Sequence, residues 1–407
     1  MSEKYNGQVG TSVSSAEQRK TLPLPLILFL TATCILSSSI FPLMLSGKEK
    51  LTFIFSTAVC LLCSVILFFG TKKTSTAVCL VILLIFIAFF VGSPILPAII
   101  FGSLLSVGSG SSMICSGKKA WLLIPFTIPF LSYAVSFIIT RDPLISISSL
   151  TLFFPILTLG ITSRLKASRT TSVSFCAIVM TAIAAVVCAI AVFSAYGNLS
   201  YESISAAAES FKNYYVDTTE HALIEYSQLE VNAFFKKQIR MVIDTYVNFS
   251  IGIIGAMSLI SAYIAHSFQL NVFKSFGMDG YLTERATKLT VSTYAAVIFV
   301  VSHVLSYATD SFGNISLLAI VCGNLSIILL PSLLIISFKT VKYLPQRFGF
   351  LGIIILIAVI FMIFTMFSHS TMFLQIPTLL ALVGAFSIII QSIDVWAKEH
   401  YGKGENK

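Results

Sequence analysis

The sequence predicts an all-α fold: a polytopic membrane bundle of about twelve transmembrane helices, with both termini cytoplasmic and one extracytoplasmic amphipathic segment. Three observations predict it. The 407 residues are 56% hydrophobic and only 11% charged, with mean hydropathy +0.93, whereas soluble domains carry roughly 25% charged residues. Apolar runs recur along the chain, each long enough for a hydrocarbon core of about 30 Å. The net charge of +9 is scattered in ones to threes at the ends of those runs. That is how orientation signals look, whereas a phosphate-binding surface would gather the charge into a patch. The bilayer is therefore the expected partner and nucleic acid is not.

Residues 1–21 form a polar cytoplasmic tail. The first apolar run, 22–45, exceeds the 7–15 apolar residues of a signal peptide and has no A-x-A-like cleavage site, so it reads as a retained span. With it, 51–69, 76–92, 96–114, 120–139, 144–162 and 171–195 make an N-terminal bundle of about seven spans over 22–195. The segment 196–242 is extracytoplasmic. Spans 243–265, 286–309, 315–338, 349–367 and 372–393 make a C-terminal bundle over 243–393, and 394–407 is a cytoplasmic tail.

The stretch "GSPILPAIIFGSLLSVGSGSS" (92–112) tests this topology, because its second half is rich enough in Gly and Ser for a loop. Lysine and arginine decide the matter. With an inside N-terminus, Lys72, Lys73, Lys118, Lys119, Arg164, Lys166, Arg169, Lys274, Arg285, Lys288, Lys339, Lys342 and Arg347 all face inward. The short outer loops hold only Lys48, Lys50 and Arg141. A re-entrant 96–114 would invert every later cluster. The segment thus reads as a span, with Pro94 and Pro97 in the outer turn and Gly102, Ser106 and Gly110 allowing close helix approach. A substrate-lining broken helix is the alternative.

In the outer segment, Tyr201, Ile204, Ala208, Phe211 and Tyr215 recur at helical spacing, as do Ile224, Val231, Phe235 and Val242. Two amphipathic helices are expected, broken near "VDTTE" (216–220), where Asp217 or Thr218 would cap the second. They would lie on the membrane or cap the bundle, since about 45 residues are too few for a separate core.

Ionisable groups inside a bilayer mark function, yet no Asp or Glu occupies an expected span centre. A relay built on buried carboxylates is thereby disfavoured. What remains is polar residues near the outer ends of later spans. His303, Ser306, Tyr307 and Asp310 form one stripe at about 100° per residue. Asp244 and Asn248 share a face ahead of Gly252 and Gly255. Asn324 lies about 15 Å into its span, flanked by Gly323 and Ser326. The candidate ligand-binding set is His303, Tyr307, Asp310, Asp244, Asn248 and Asn324, lining an outward-facing pocket. The competing reading is interfacial anchors and interhelical hydrogen bonds.

Sharper signatures are missing: there is no phosphate loop, HExxH or nucleophile elbow. The serine runs "LSSSI" (36–40) and "GSGSSM" (108–113) have no His or Lys base nearby. All eight cysteines fall in or at the ends of apolar runs, and Cys60 and Cys63 sit in the wholly apolar "VCLLCSV". Neither a disulfide framework nor a zinc pair is expected. No catalytic residue, metal or cofactor is expected, and four N-x-[ST] matches read as chance.

The second half resembles the YybS-like family of bacterial multi-pass membrane proteins. The resemblance rests on the order of elements: the outer helical segment, a span, the loop "FKSFGMDGYLTER" (273–285), and the last span "LLALVGAFSIIIQSIDVWAKEH" (379–400) with Asp394, Trp396 and Lys398 at its close. The sequence departs from the family at this loop, where "GYLTERATK" stands in place of the Pro and aromatic expected ahead of the next span. That family is distantly similar to substrate-binding subunits of energy-coupling-factor transporters. This second likeness implies an outer pocket and a small-residue face for a membrane coupling partner. The expected function is a non-enzymatic membrane protein that binds or helps transport a small solute. The alternative is a scaffold for envelope proteins acting through its outer helices.

Overall fold

The computed structural model describes residues 22, 24–70, 93–116, 119–227, 233–310, 317–338, 340 and 375–401. The expected spans 76–92 and 349–367 lie outside them. Every regular element among the described residues is helical, as a bilayer demands of any segment that must satisfy its backbone internally.

Helix α1 (Leu24–Leu45) turns at Gly47, whose φ of +67° suits glycine, into α2 (Glu49–Gly70). The disputed stretch is helical. Ile95–Pro97 runs without interruption into a π-helical turn, Ala98–Gly102, and then into α3 (Ser103–Ile114). Pro94 and Pro97 start this helix, where a missing N–H costs no hydrogen bond. Next come α4 (Lys119–Thr140), α5 (Pro143–Arg164, with a 3-10 stretch at Ser148–Leu152) and α6 (Arg169–Tyr196). After these lie α7 (Tyr201–Ser227), α8 (Ala233–Asn248), α9 (Ser250–Ser275), α10 (Thr293–Asp310), α11 (Leu317–Phe338) and α12 (Gln375–Tyr401).

Six described helical stretches are long and apolar enough to cross a membrane: Leu26–Leu45, Glu49–Ile66, α5, α6, α9 and α11. Shorter apolar helices are Ala98–Ile114, Thr127–Thr140, Thr293–Ser306 and Pro377–Ile393. The chain is a helical membrane protein.

Helix α3 is the hub. It packs on α1, α4, α5 and α9, and α9 in turn packs most extensively on α6. Glycine makes these approaches: a Cβ on Gly108 would stand 2.6 Å from the carbonyl oxygen of Ala265. Leu30, Val107, Met113, Ile156, Leu159 and Phe273 form the main buried core, while Ala296, Phe299, Leu333, Ala381 and Ala385 join α10, α11 and α12.

Three boundaries differ from expectation. The break expected at 216–220 is absent, because α7 runs through it. Thr218 and Thr219 donate to the carbonyls of Tyr214 and Tyr215 one turn back instead of capping a new helix. The span expected at 243–265 is displaced to Ser250–Ser275. Amphipathic α8 persists to Asn248, and Phe249 leaves helical geometry with φ −100° and ψ 12°. The span expected at 286–309 begins at Thr293. Before it, Thr283 caps a single turn, Glu284–Thr287.

Candidate functional site

The expected outer cluster divides into three places. Asn324 of α11 reaches α9, where its Oδ1 accepts from the N–H of Gly252. Its Nδ2 donates to the carbonyls of Asn248 (3.1 Å) and Ile320 (2.8 Å). Gly252 lies in the first turn of α9, whose N-cap Phe249 offers no side-chain bond, so Asn324 supplies that cap from a neighbouring helix. Asn324 and Asn248 therefore meet, and both serve the helix junction. Ser306 of α10 joins the same region by donating to the carbonyl of Ala319 at 3.2 Å.

Asp244 faces elsewhere. It belongs to α8, and its Oδ1 takes the Lys212 ammonium of α7 at 2.8 Å, while Glu209 pairs with Arg240. The hydrogen bond to Asp244 holds the Lys212 ammonium above the ordinary lysine pKa. His303, half-buried on α10, stacks on Phe299 with ring centroids 6.1 Å apart and planes 8° from parallel. Tyr307 and Asp310 sit in the last turns of α10, and their side chains lie outside the described residues.

Two polar regions outside the candidate set lie inside the bundle; the first falls on the 96–114 segment, for which a substrate-lining broken helix is the alternative, and the second was not expected. Helix α3 buries nearly its whole length, including Ser106, Ser109, Ser111 and Ser112. Ser109, Ser111 and Ser112 bond to carbonyls of their own helix. The hydroxyls of Ser37 (α1), Ser56 (α2) and Ser106 are buried without a partner. A Cβ on Gly102, in the π-helical turn, would fall 2.9 Å from Ser37 Oγ, so this turn brings the backbone against the serine. π-helical turns recur at functional sites because they redirect side chains and expose backbone groups.

The second region lies where α5, α6 and α9 meet. Arg169 opens α6. Its Nη1 donates to the carbonyl of Thr287 (3.0 Å), its Nη2 to Ser267 Oγ, and its guanidinium carbon stands 4.2 Å from the centre of the Tyr263 ring. Gln269 Oε1 accepts from Ser163 at 3.0 Å. Arg169 Nε, Ser172 Oγ, His266 Nδ1 and Gln269 Nε2 are buried without a partner. The loop after α9 closes over this end. Tyr281 stacks on Phe273 and donates to the carbonyl of Cys115 at 3.0 Å, and Thr170 pairs with the backbone of Thr290.

The sequence held a signal for this second region. With the span placed at 243–265, His266 and Gln269 fall in a loop; moved to Ser250–Ser275, they become buried polar residues one turn apart inside an apolar helix.

An open cleft of about 740 Å³ lies at the α1–α2 turn, between Met44, Phe53, Ile54 and Ile95, with Glu49 and Lys50 among its lining residues. None of the candidate residues lines it. Cys60 and Cys63 are buried free thiols, Cys60 lying 3.6 Å from the carbonyl of Pro94. Among the described residues, no three of His, Cys, Asp and Glu gather as metal ligands would.

No family model, curated protein or solved structure matches the chain. Fold and interior together define an all-helical protein with six helices long and apolar enough to cross a membrane, and with buried polar groups at its helix contacts.

Proposed function

We propose that this chain is a non-enzymatic, multi-pass protein of the bacterial cell membrane that binds, and helps to move, a small polar solute. The observation that carries the reading is the polar interior around α3. Ser106 of α3, Ser37 of α1 and Ser56 of α2 keep buried hydroxyls without partners, and the π-helical turn that opens α3 sets Gly102 against Ser37. An unmade hydrogen bond of this kind costs about 1–3 kcal/mol, a cost a polar ligand or water would remove. His303, Tyr307 and Asp310 then belong to the outward approach, while Asp244 is held by Lys212 of α7 and Asn248 and Asn324 join the helices behind them. The termini are cytoplasmic in this reading, about twelve spans are present, and the positive-inside bias supports that orientation. The resemblance to the YybS-like family agrees with it, and a membrane coupling subunit is the partner that resemblance implies.

One observation favours the scaffold as a second reading. Helix α7 exposes Tyr201, Phe211, Tyr214 and Tyr215, and the ion pairs to α8 hold that face in place.

Purification from native membranes in mild detergent, followed by mass spectrometry of retained small molecules and proteins, separates the two. A retained polar metabolite, or an ATPase with its membrane coupling subunit, is the expected result. Envelope-synthesis or division proteins with no small molecule would sink the binding reading and favour the scaffold.

A further inference from the structure

Arg169 is 9% exposed, and its guanidinium stays charged under all ordinary conditions. Its described contacts are a carbonyl, a hydroxyl and an aromatic face, with no carboxylate among them. Glu284, in the adjoining one-turn helix, is committed to Lys288. A buried charge without a counter-charge costs several kcal/mol.

Of the four unused groups around Arg169, the Arg169 Nε–H and the Gln269 amide Nε2 can only donate, while the Ser172 hydroxyl and His266 Nδ1 donate or accept. Ser172 follows Arg169 by one turn on α6, and His266 precedes Gln269 by one turn on α9, so each pair shares a helix face. Gln269 is 0% exposed, and Ser172 and His266 are 1% exposed. The N-terminus of α6 adds its own positive end at this place. Water would answer the hydrogen bonds and leave the charge. A cation would find no anionic ligand, and a neutral solute would leave the guanidinium uncompensated.

We infer that the α5–α6–α9 junction binds an oxyanion, the carboxylate or phosphate of a solute or of a lipid headgroup, through Arg169, Ser172 and Gln269. The inference deepens the solute-binding reading and rests on its premise that the polar interior is a binding surface. The outer cluster plays no part in it.

The test is thermal unfolding of the full-length protein, purified in phosphate-free detergent buffer. It is titrated at constant ionic strength with inorganic phosphate, with succinate and with short-chain phosphatidylglycerol, sodium chloride being the reference. A saturable rise in Tm that chloride does not give, weakened roughly tenfold or more in Arg169→Lys and Gln269→Ala, supports the site. A response to phosphate or succinate makes a soluble anion the occupant; a response to phosphatidylglycerol alone makes it a lipid headgroup. Gln269→Ala keeps the charge, so it carries the test should Arg169→Lys fail to fold. No response beyond chloride, or one unchanged in Gln269→Ala, overturns the inference. A neutral metabolite retained by the natively purified protein would leave solute binding standing in that event.

Discussion

The side-chain oxygen of Asn324 caps the backbone N–H of Gly252, so a residue of one long apolar helix finishes the first turn of another. Glycine is required opposite it. A Cβ at 252 would stand 2.9 Å from the Cα of Asn324 and 3.0 Å from its carbonyl oxygen, both backbone atoms that cannot rotate away.

Gly252→Ala should therefore destabilise the protein by about 1–3 kcal/mol, as overpacking does. Gly255→Ala, one turn on, meets the side chain of Ile328, which can shift, and should cost less. Asn324→Ala leaves the Gly252 N–H unpaired and should cost about 1–2 kcal/mol. Thermal unfolding in detergent checks all three. Unchanged stability in Asn324→Ala with lost ligand retention would return Asn324 to the binding set.

Thr170 ties α6 to the segment ahead of α10, donating to the carbonyl of Thr290 at 2.7 Å and accepting from its N–H at 3.0 Å. Thr170→Val removes both bonds with little change of shape. Amide hydrogen exchange at Thr290 should quicken by roughly thirtyfold, for two bonds of about 1 kcal/mol each. Unchanged exchange would show that Arg169 and Tyr281 hold the loop by themselves.

The α7–α8 tie should depend on pH in one direction only as far as Lys212 controls it. Its raised pKa means that its contribution is fully present below the ordinary lysine value of roughly 10.4 and is lost as the pH rises through the higher folded value. The spin-label separation between α7 and α8 should therefore stay constant from about pH 6 to 9 and spread only in strong alkali. Lys212→Met should broaden it at neutral pH, by no more than the about 0.2–1 kcal/mol of a partly exposed pair. A separation unmoved by Lys212→Met would place the tie in other contacts.

How far the sequence revealed all this differs from element to element. The helices α1, α2, α5, α6 and α11 were legible within a few residues, because long uninterrupted apolar runs admit one reading. The start of α9 was not. Apolar residues of amphipathic α8 run straight into the span, so hydropathy merges two helices that the backbone at Phe249 separates. That merger gave Asp244 to the membrane, where the structure pairs it with Lys212 on α7. It also set His266 and Gln269 outside the membrane. The polar interior was hidden for another reason. A serine in an apolar run satisfies its hydroxyl on its own helix or faces a neighbour, and only the packing around α1 distinguishes Ser38, which bonds its own helix and Ser132 of α4, from Ser37, which has no partner.

The central claim is tested most directly at those serines. Removing a buried, unpartnered hydroxyl removes a cost, so a purely structural role predicts unchanged or higher stability for Ser37→Ala/Ser106→Ala. The measurement is the amount of polar metabolite retained per protein after native purification, in the wild type and in this double variant. Retention near stoichiometry in the wild type, lost in a variant of equal or greater Tm, is the predicted result. No retained metabolite in the wild type, or equal retention in both, would contradict solute binding in the interior around α3.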